Sequence, residues 1–265
     1  MPFKADLHIH TDYSPERRKW HGERPKKTAQ AIHSAGLDIF ATTEHAYLAK
    51  NRFVQHFLNI QAELERLSET TNREITGILG VETTIKYEGG RYHIGYLFEN
   101  EYRDSNAPEI LPPMSDVKEL EHYRLDFPGA AILCHPTWKD HPNGNNDPRK
   151  TIELMESGLI DGAEILNGAM LFNGAPIQMT IDAIRMFIEA KWQRQLISAI
   201  GSSDAHKAQW VGNVVTLLES KEKEKIFEAL KKGDTTPAPI EETVVKPKVE
   251  RILREVNTAT EIIKL

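Results

Sequence analysis

Short apolar runs of strand length alternate along this chain with longer segments of helical spacing, and that alternation limits the folds open to it more than any other feature. The runs lie near residues 5–9, 38–42, 75–81, 92–98, 130–134, 163–166, 196–201 and 214–218, and helices are predicted over 26–35, 51–69, 116–126, 148–157, 176–190 and 221–231. Strands alternating with helices predict an α/β fold with a largely parallel sheet covered by helices. The stretch 82–98 is an exception, because Glu88-Gly89-Gly90 separates two strand-like runs and predicts a hairpin. From Gly233 to Lys248, Pro237, Pro239 and Pro247 with no clear period predict an extended connector. Beyond it Ile252, Leu253, Val256, Ala259 and Ile263 recur at helical spacing, predicting an amphipathic helix that buries its stripe on the main fold or on another subunit.

A chain of 265 residues with 40% hydrophobic and 27% charged residues has enough apolar surface for a full core, so disordered and fibrous classes drop out. Its longest apolar runs, such as 130–134 and 196–200, fall far short of the ~20 residues that cross a bilayer. Met1 to His10 meets Asp6 and His8 before any apolar signal segment forms, so a cytoplasmic location is expected. A single cysteine, Cys134, excludes an internal disulfide and a cysteine-built zinc site. A net charge of -6 argues against general affinity for nucleic acid. The local exception is the basic group Arg17, Arg18, Lys19, Arg24, Lys26 and Lys27, which reads either as a solvated loop or as a phosphate contact.

Histidines and carboxylates collect at the ends of the predicted strands: Asp6-Leu7-His8-Ile9-His10, Thr43-Glu44-His45, Gly80-Val81-Glu82, Cys134-His135-Pro136 and Ser203-Asp204-Ala205-His206. In a parallel α/β barrel such ends meet at one face, where these folds place their sites. His8 and His10, two apart on a strand, point the same way and can share a cation, and Asp204 with His206 repeats the spacing. Imidazole and carboxylate without thiolate suit Zn, Mn or Fe, and the candidates outnumber what one tetrahedral ion can use, so two or three divalent ions are expected. Glu82, with two carboxylate oxygens, is the candidate bridge. His33, His56 and His122 fall inside predicted helices and read as packing or surface residues, His21 and His141 sit in loops, and Cys134 reads as a small buried residue.

With these motifs in place the sequence resembles the polymerase and histidinol phosphatase (PHP) superfamily of metal-dependent phosphoesterases. The resemblance rests on Asp6-Leu7-His8-Ile9-His10-Thr11, Thr43-Glu44-His45, Gly80-Val81-Glu82, His93-Ile94-Gly95-Tyr96, His135-Pro136, Glu164-Ile165-Leu166-Asn167 and Ser203-Asp204-Ala205-His206, in that order. It implies a distorted (β/α)7 barrel over residues 1–232, followed by the connector and amphipathic helix of 233–265. It also implies a ligand set: His8, His10, Glu82 and Asp204 on one ion, Glu82, His93 and His135 on a second, His45 and His206 on a third. Family members often carry aspartate after the serine of the first loop, where this chain reads Ser14-Pro15-Glu16. Glu16 is the expected substitute there, with Asp12 or His21 in reserve.

The activity so implied is hydrolysis of a phosphate ester by a metal-activated hydroxide, with Asp204 and His206 at the catalytic centre. Arg17, Arg18, Arg149 and Lys207 are candidate clamps for substrate phosphate, and Asn167 a candidate for orienting it. Expected substrates are small phosphoesters, nucleotides above all, with a short oligonucleotide as a further class. A histidinol-phosphate phosphatase and a non-catalytic metal-binding module are the alternatives. An amidohydrolase, which also opens on His-x-His, fits less well because no lysine follows a strand end. Oligomeric state is open at this point.

Overall fold

A computed structural model describes residues 1–11, 24–46, 52–100, 116–138, 146–194, 196–240 and 245–256. Its strands are Phe3–Ile9 (β1), Ile39–His45 (β2), Thr76–Tyr87 (β3), Gly90–Phe98 (β4), Gly129–Leu133 (β5), Gly162–Asn167 (β6), Ser198–Ser202 (β7), Val214–Leu218 (β8) and Thr236–Pro239 (β9). Its α-helices are Arg24–Ser34 (α1), Arg52–Thr71 (α2), Val117–Asp126 (α3), Pro148–Glu156 (α4), Gly168–Phe172 (α5), Ile177–Gln193 (α6), Lys223–Lys232 (α7) and Lys246–Glu255 (α8). None of the described helices is long and apolar enough to cross a membrane.

All nine strands form one sheet in the order β7-β6-β5-β4-β3-β2-β1-β8-β9. Strands β5, β6 and β7 are buried along their whole length, as is β1 after its first two residues; this gives β5 and β6 their near-continuous apolar runs, whereas β1 alternates Ala5, Leu7 and Ile9 with the buried polar Asp6 and His8. The sheet curls until its edges nearly meet. Ile9 bridges Ala205 in parallel register, the His10 amide donates to the Ala205 carbonyl at 3.0 Å, and Thr216 Oγ1 exchanges hydrogen bonds with both the amide and the carbonyl of Gly201. The architecture is the expected distorted α/β barrel, with nine strands among the described residues rather than seven.

The parallel expectation holds for only half of the strand pairs. β1–β2, β2–β3, β5–β6 and β6–β7 are parallel, whereas β1–β8, β3–β4, β4–β5 and β8–β9 are antiparallel. Only β3–β4 owes this to a tight turn; β4–β5 and β8–β9 are joined through segments that carry α3 and α7, and β1 and β8 meet from opposite parts of the sequence. Glu88 and Gly89 at the β3–β4 turn take φ of 48° and 83°, the left-handed pair a two-residue hairpin needs. Strand β9 lies inside the segment read as an extended connector: Pro237 and Pro239 sit opposite Thr216 and Val214 at the sheet's edge, where a missing N–H costs least. The amphipathic stripe resolves in favour of the barrel, since Val249, Ile252 and Leu253 of α8 are buried, Val256 after it is too, and α8 packs against α6. Ala259 and Ile263 lie outside the described residues.

Candidate metal centre

Six strands, β1, β2, β3, β5, β6 and β7, run the same way and bring their C-terminal ends to one rim. Strand β4 runs against them, so its early residue His93 reaches the same rim as the late residues of its neighbours. At the centre stands Glu82, with 1% of its side chain exposed. Five histidines surround its carboxylate: His45 Nδ1 at 2.6 Å and His10 Nε2 at 3.5 Å from Oε2, and His93 Nδ1 at 2.8 Å, His135 Nε2 at 3.2 Å and His8 Nε2 at 3.9 Å from Oε1. Asp204 Oδ1 closes the other side, 3.3 Å from His10 Nε2, 3.6 Å from His8 Nε2 and 3.5 Å from His206 Nδ1.

His135 and Asp204 take φ of 27° and 48°, the left-handed region that costs a side chain-bearing residue energy. Two such residues within one cluster mark a site whose surroundings over-determine the backbone. Behind the cluster, Glu164 is fully buried and accepts four hydrogen bonds. His8 Nδ1 lies 2.7 Å from Oε1, which Ser202 Oγ also contacts, while the His135 amide at 2.8 Å and Asn167 Nδ2 at 3.0 Å donate to Oε2. A carboxylate only accepts, so His8 carries a proton on Nδ1; burial acts downward on the ring, yet Cys134, Glu164 and Asp204 raise it well above its ordinary range, so any second proton sits on Nε2, facing Glu82 and Asp204, where a cation would compete for it. Asn167 Nδ2 also donates to Asp204 Oδ2 at 3.2 Å, and its Oδ1 caps α5 by accepting from the Met170 amide at 2.9 Å.

The charges fit a cation. Burial drives His10 well below its ordinary range, with His206 and His45 adding to the effect, so its ring stays neutral with a lone pair to give. Burial alone would raise Glu82, but His45 and His93 hold it well below the usual carboxylate range. Asp204 is likewise lowered against its burial, chiefly by His8. For His45 and His135, burial acts downward yet Glu82 keeps both raised, so protons sit where a cation would compete for them. Nε2 of His8 and His10 are only 3.0 Å apart and both buried, and His10 Nδ1 has no hydrogen-bond partner. Ligand atoms lie within 4.8 Å of one another in four overlapping groups: His8, His10 and Asp204; Glu82, His93 and His135; His10, His45 and His206; and His8, Glu82 and Cys134. The last is the weakest, since burial pushes the Cys134 thiol up and its proton goes to the Ile132 carbonyl, 3.6 Å away.

The structure thus gathers His8, His10, His45, Glu82, His93, His135, Asp204 and His206 into one cluster. Glu16, Arg17 and Arg18, together with Asp12, His21 and His141, lie outside the described residues. Of the other candidate substrate contacts, Asn167 alone is shown touching a cluster residue, Asp204. Arg149 is 86% exposed and pairs with Glu153 one turn along α4 at 3.4 Å. Lys207 lays its ammonium over the Trp210 ring, 4.9 Å from the centroid. Asn167 is buried and spends its amide on Glu164, Asp204 and the α5 amide. One residue behind the cluster carries no role in the sequence pattern. Glu164 lay inside the Glu164-Ile165-Leu166-Asn167 motif without a role. His56, expected to be a packing or surface residue on a helix, is buried on α2, with its Nδ1 3.3 Å from Thr11 Oγ1, directly after the first histidine pair.

A family model described as PHP-associated matches residues 192–235, the stretch that carries β7, Asp204 and His206. Among solved structures, a two-domain protein from Bacteroides vulgatus, described as containing a predicted PHP-like metal-dependent phosphoesterase, superposes with a TM-score of 0.60. It is 21% identical, and the match covers 94% of this chain and 70% of that one. The family-model match agrees with the PHP resemblance of the motifs, and the superposition shows that this chain shares that protein's fold. A second solved structure of similar fold, PsfC from Pseudomonas syringae, gives a TM-score of 0.59 at 14% identity over 97% of this chain and 98% of its own. Mouse histone chaperone ASF1B is 26% identical over 106 residues, which are 38% of this chain and 52% of that protein, so the chain spans about half the length of that curated relative.

Proposed function

We propose that this chain is a metal-dependent phosphoesterase of the PHP superfamily that hydrolyses a small phosphate ester at the Glu82 cluster. The observation that carries the reading is one buried carboxylate ringed by five histidines, with Asp204 opposite. Two or three divalent ions of the Zn, Mn or Fe class suit that donor set. His8, His10, Glu82 and Asp204 would hold one, Glu82, His93 and His135 a second, and His45 with His206 a third. Bound there, such ions supply Lewis acidity and a water that ionises near neutral pH.

The chain's own residues do the rest. Glu164 and Asn167 fix the orientation of His8 and Asp204, and the rim excludes bulk water from Glu82. His206, with 39% of its side chain exposed, is the member of the set that an entering substrate meets first. In the net reaction a P–O bond to water forms as the P–O bond to the alcohol breaks, and the proton lost by water ends on the alcohol. No side-chain nucleophile is needed, consistent with Cys134 being held as a thiol.

The test is phosphate release by Mn-loaded and Zn-loaded protein from histidinol phosphate, nucleoside monophosphates, nucleoside bisphosphates and short oligonucleotides. Asp204→Asn and His135→Ala run alongside. Turnover lost in both variants supports the reading. Protein holding its ions with no turnover of any ester would make it a metal-binding module instead.

A further inference from the structure

Beside His93 and His135 lies a cavity of about 330 Å³, whose walls include Trp138, Pro148, Ile152 and Met186. Resting on the phosphoesterase reading, we propose that this cavity seats the leaving alcohol, that the alcohol is a single flat ring system without further phosphates, and that Trp138 sets the preference.

Three observations carry this. The cavity shares His93 and His135 with the Glu82 cluster, so whatever fills it touches the reacting end of the site. Its volume is near the lower limit of small-molecule sites, about 300 Å³, which suits one ring and excludes a run of nucleotides. Among the described residues its charged lining is balanced, with Arg91 and Arg185 offset by Asp182 and Glu189. A second or third phosphate would call for cations in excess there, and the apolar walls favour an uncharged ring instead.

Trp138 is built to face such a ring. Its amide donates to the His135 carbonyl at 3.1 Å, which closes a turn and fixes the indole's base. The indole stands edge-on to His135, with centroids 5.1 Å apart at 82°. Its remaining surface borders the cavity, where a ring can stack or pack edge to face.

The experiment compares phenyl phosphate, glycerol phosphate and a short oligonucleotide as substrates of the metal-loaded protein, and phenylphosphonate with methylphosphonate as non-hydrolysable ligands in calorimetry. Wild type, Trp138→Ala and Trp138→Phe are measured at equal metal content. The expected result is a kcat/KM for phenyl phosphate about tenfold above glycerol phosphate, the scale of one aromatic contact. Trp138→Ala should raise KM for phenyl phosphate by a similar factor with kcat within about twofold, leave glycerol phosphate unchanged, and be rescued by Trp138→Phe. Turnover without ring preference, a Trp138→Ala loss shared by both esters, or a preference for the oligonucleotide overturns the proposal while leaving the phosphoesterase reading intact. If no ester turns over, calorimetry separates the two: Trp138-dependent binding of phenylphosphonate over methylphosphonate keeps the ring pocket and removes the hydrolase, and absence of that selectivity removes both.

Discussion

Replacing Glu164 by glutamine should weaken metal binding while leaving the fold in place. Glu164 accepts from two sets of donors, one oxygen serving His8 Nδ1 and Ser202 Oγ, the other the His135 amide and Asn167 Nδ2. Glutamine has one accepting oxygen. The backbone N–H of His135 and the amide of Asn167 can only donate on that side, so the oxygen stays with them and the new NH2 turns toward His8 and Ser202. The Ser202 hydroxyl rotates to accept. His8 must then accept on Nδ1, which moves its proton to Nε2, the atom that faces Glu82 and Asp204. A ring protonated at that nitrogen cannot give its lone pair to a cation. Loss of a hydrogen-bond partner behind a ligating histidine costs 10- to 100-fold in affinity, about 1.4–2.7 kcal/mol. Competition against a chromophoric chelator measures it directly, and thermal melts of the metal-free protein control for folding. Glu164→Ala should behave differently, because it strands buried donors at about 1–3 kcal/mol each and lowers the melting temperature even without metal. Wild-type metal affinity in Glu164→Gln would refute the assignment of His8's proton.

Other expectations follow from the same geometry. Adding Zn or Mn to metal-stripped protein should raise its melting temperature, and chelation should reverse the gain; at a concentration 100 times Kd the stabilisation is about 2.7 kcal/mol. Asp161→Ala should cost about 3 kcal/mol in denaturant titration, since Asp161 takes both terminal nitrogens of Arg124, at 2.7 and 3.0 Å, and the buried amide of Ala131 at 2.8 Å. Gly201→Ala should lower stability by about 1–3 kcal/mol, because the added methyl would stand 2.6 Å from the Val215 carbonyl and 2.9 Å from Pro237 Cβ where the barrel edges meet. A chemical melt of that variant as stable as wild type would mean the seam is looser than these distances say.

Much of this fold was legible because burial on both faces leaves a plain trace: Ala163 to Leu166 and Ala130 to Cys134 are apolar at nearly every position, and the helices between them carry clear stripes. The hairpin at Glu88-Gly89 was legible for a local reason, two residues able to take positive φ. Strand β9 was not, since Pro237 and Pro239 read as breakers until the sheet edge that tolerates them is known. Helix α5 was missed because five residues begun by the Asn167 cap carry too little period. At the candidate site, histidines on strand ends could be picked out one by one, whereas the roles of Glu164 and His56 exist only through partners far away in sequence, His8 and Thr11. The direction of β4, which brings His93 to the rim, depends on pairing that no local pattern encodes.

Asp6, fully buried in β1 and pushed up to about 6 by that burial, accepts from the amides of Ser203 and Gly212, 197 and 206 positions later. The first strand is therefore locked to the segment that delivers Asp204, and both His8 and His10 hang from that lock. At ribosomal rates of about 5–20 residues per second, His8 and His10 leave the ribosome on the order of 10–40 s before Asp204 does. During that interval His8, His10 and Glu82, the partners of Asp204 on one proposed ion, form at most an open half-cage, able to meet that ion but not to enclose it. An ion firmly held by His8, His10, Glu82 and Asp204 would in that sense certify that the two far ends of the barrel have met.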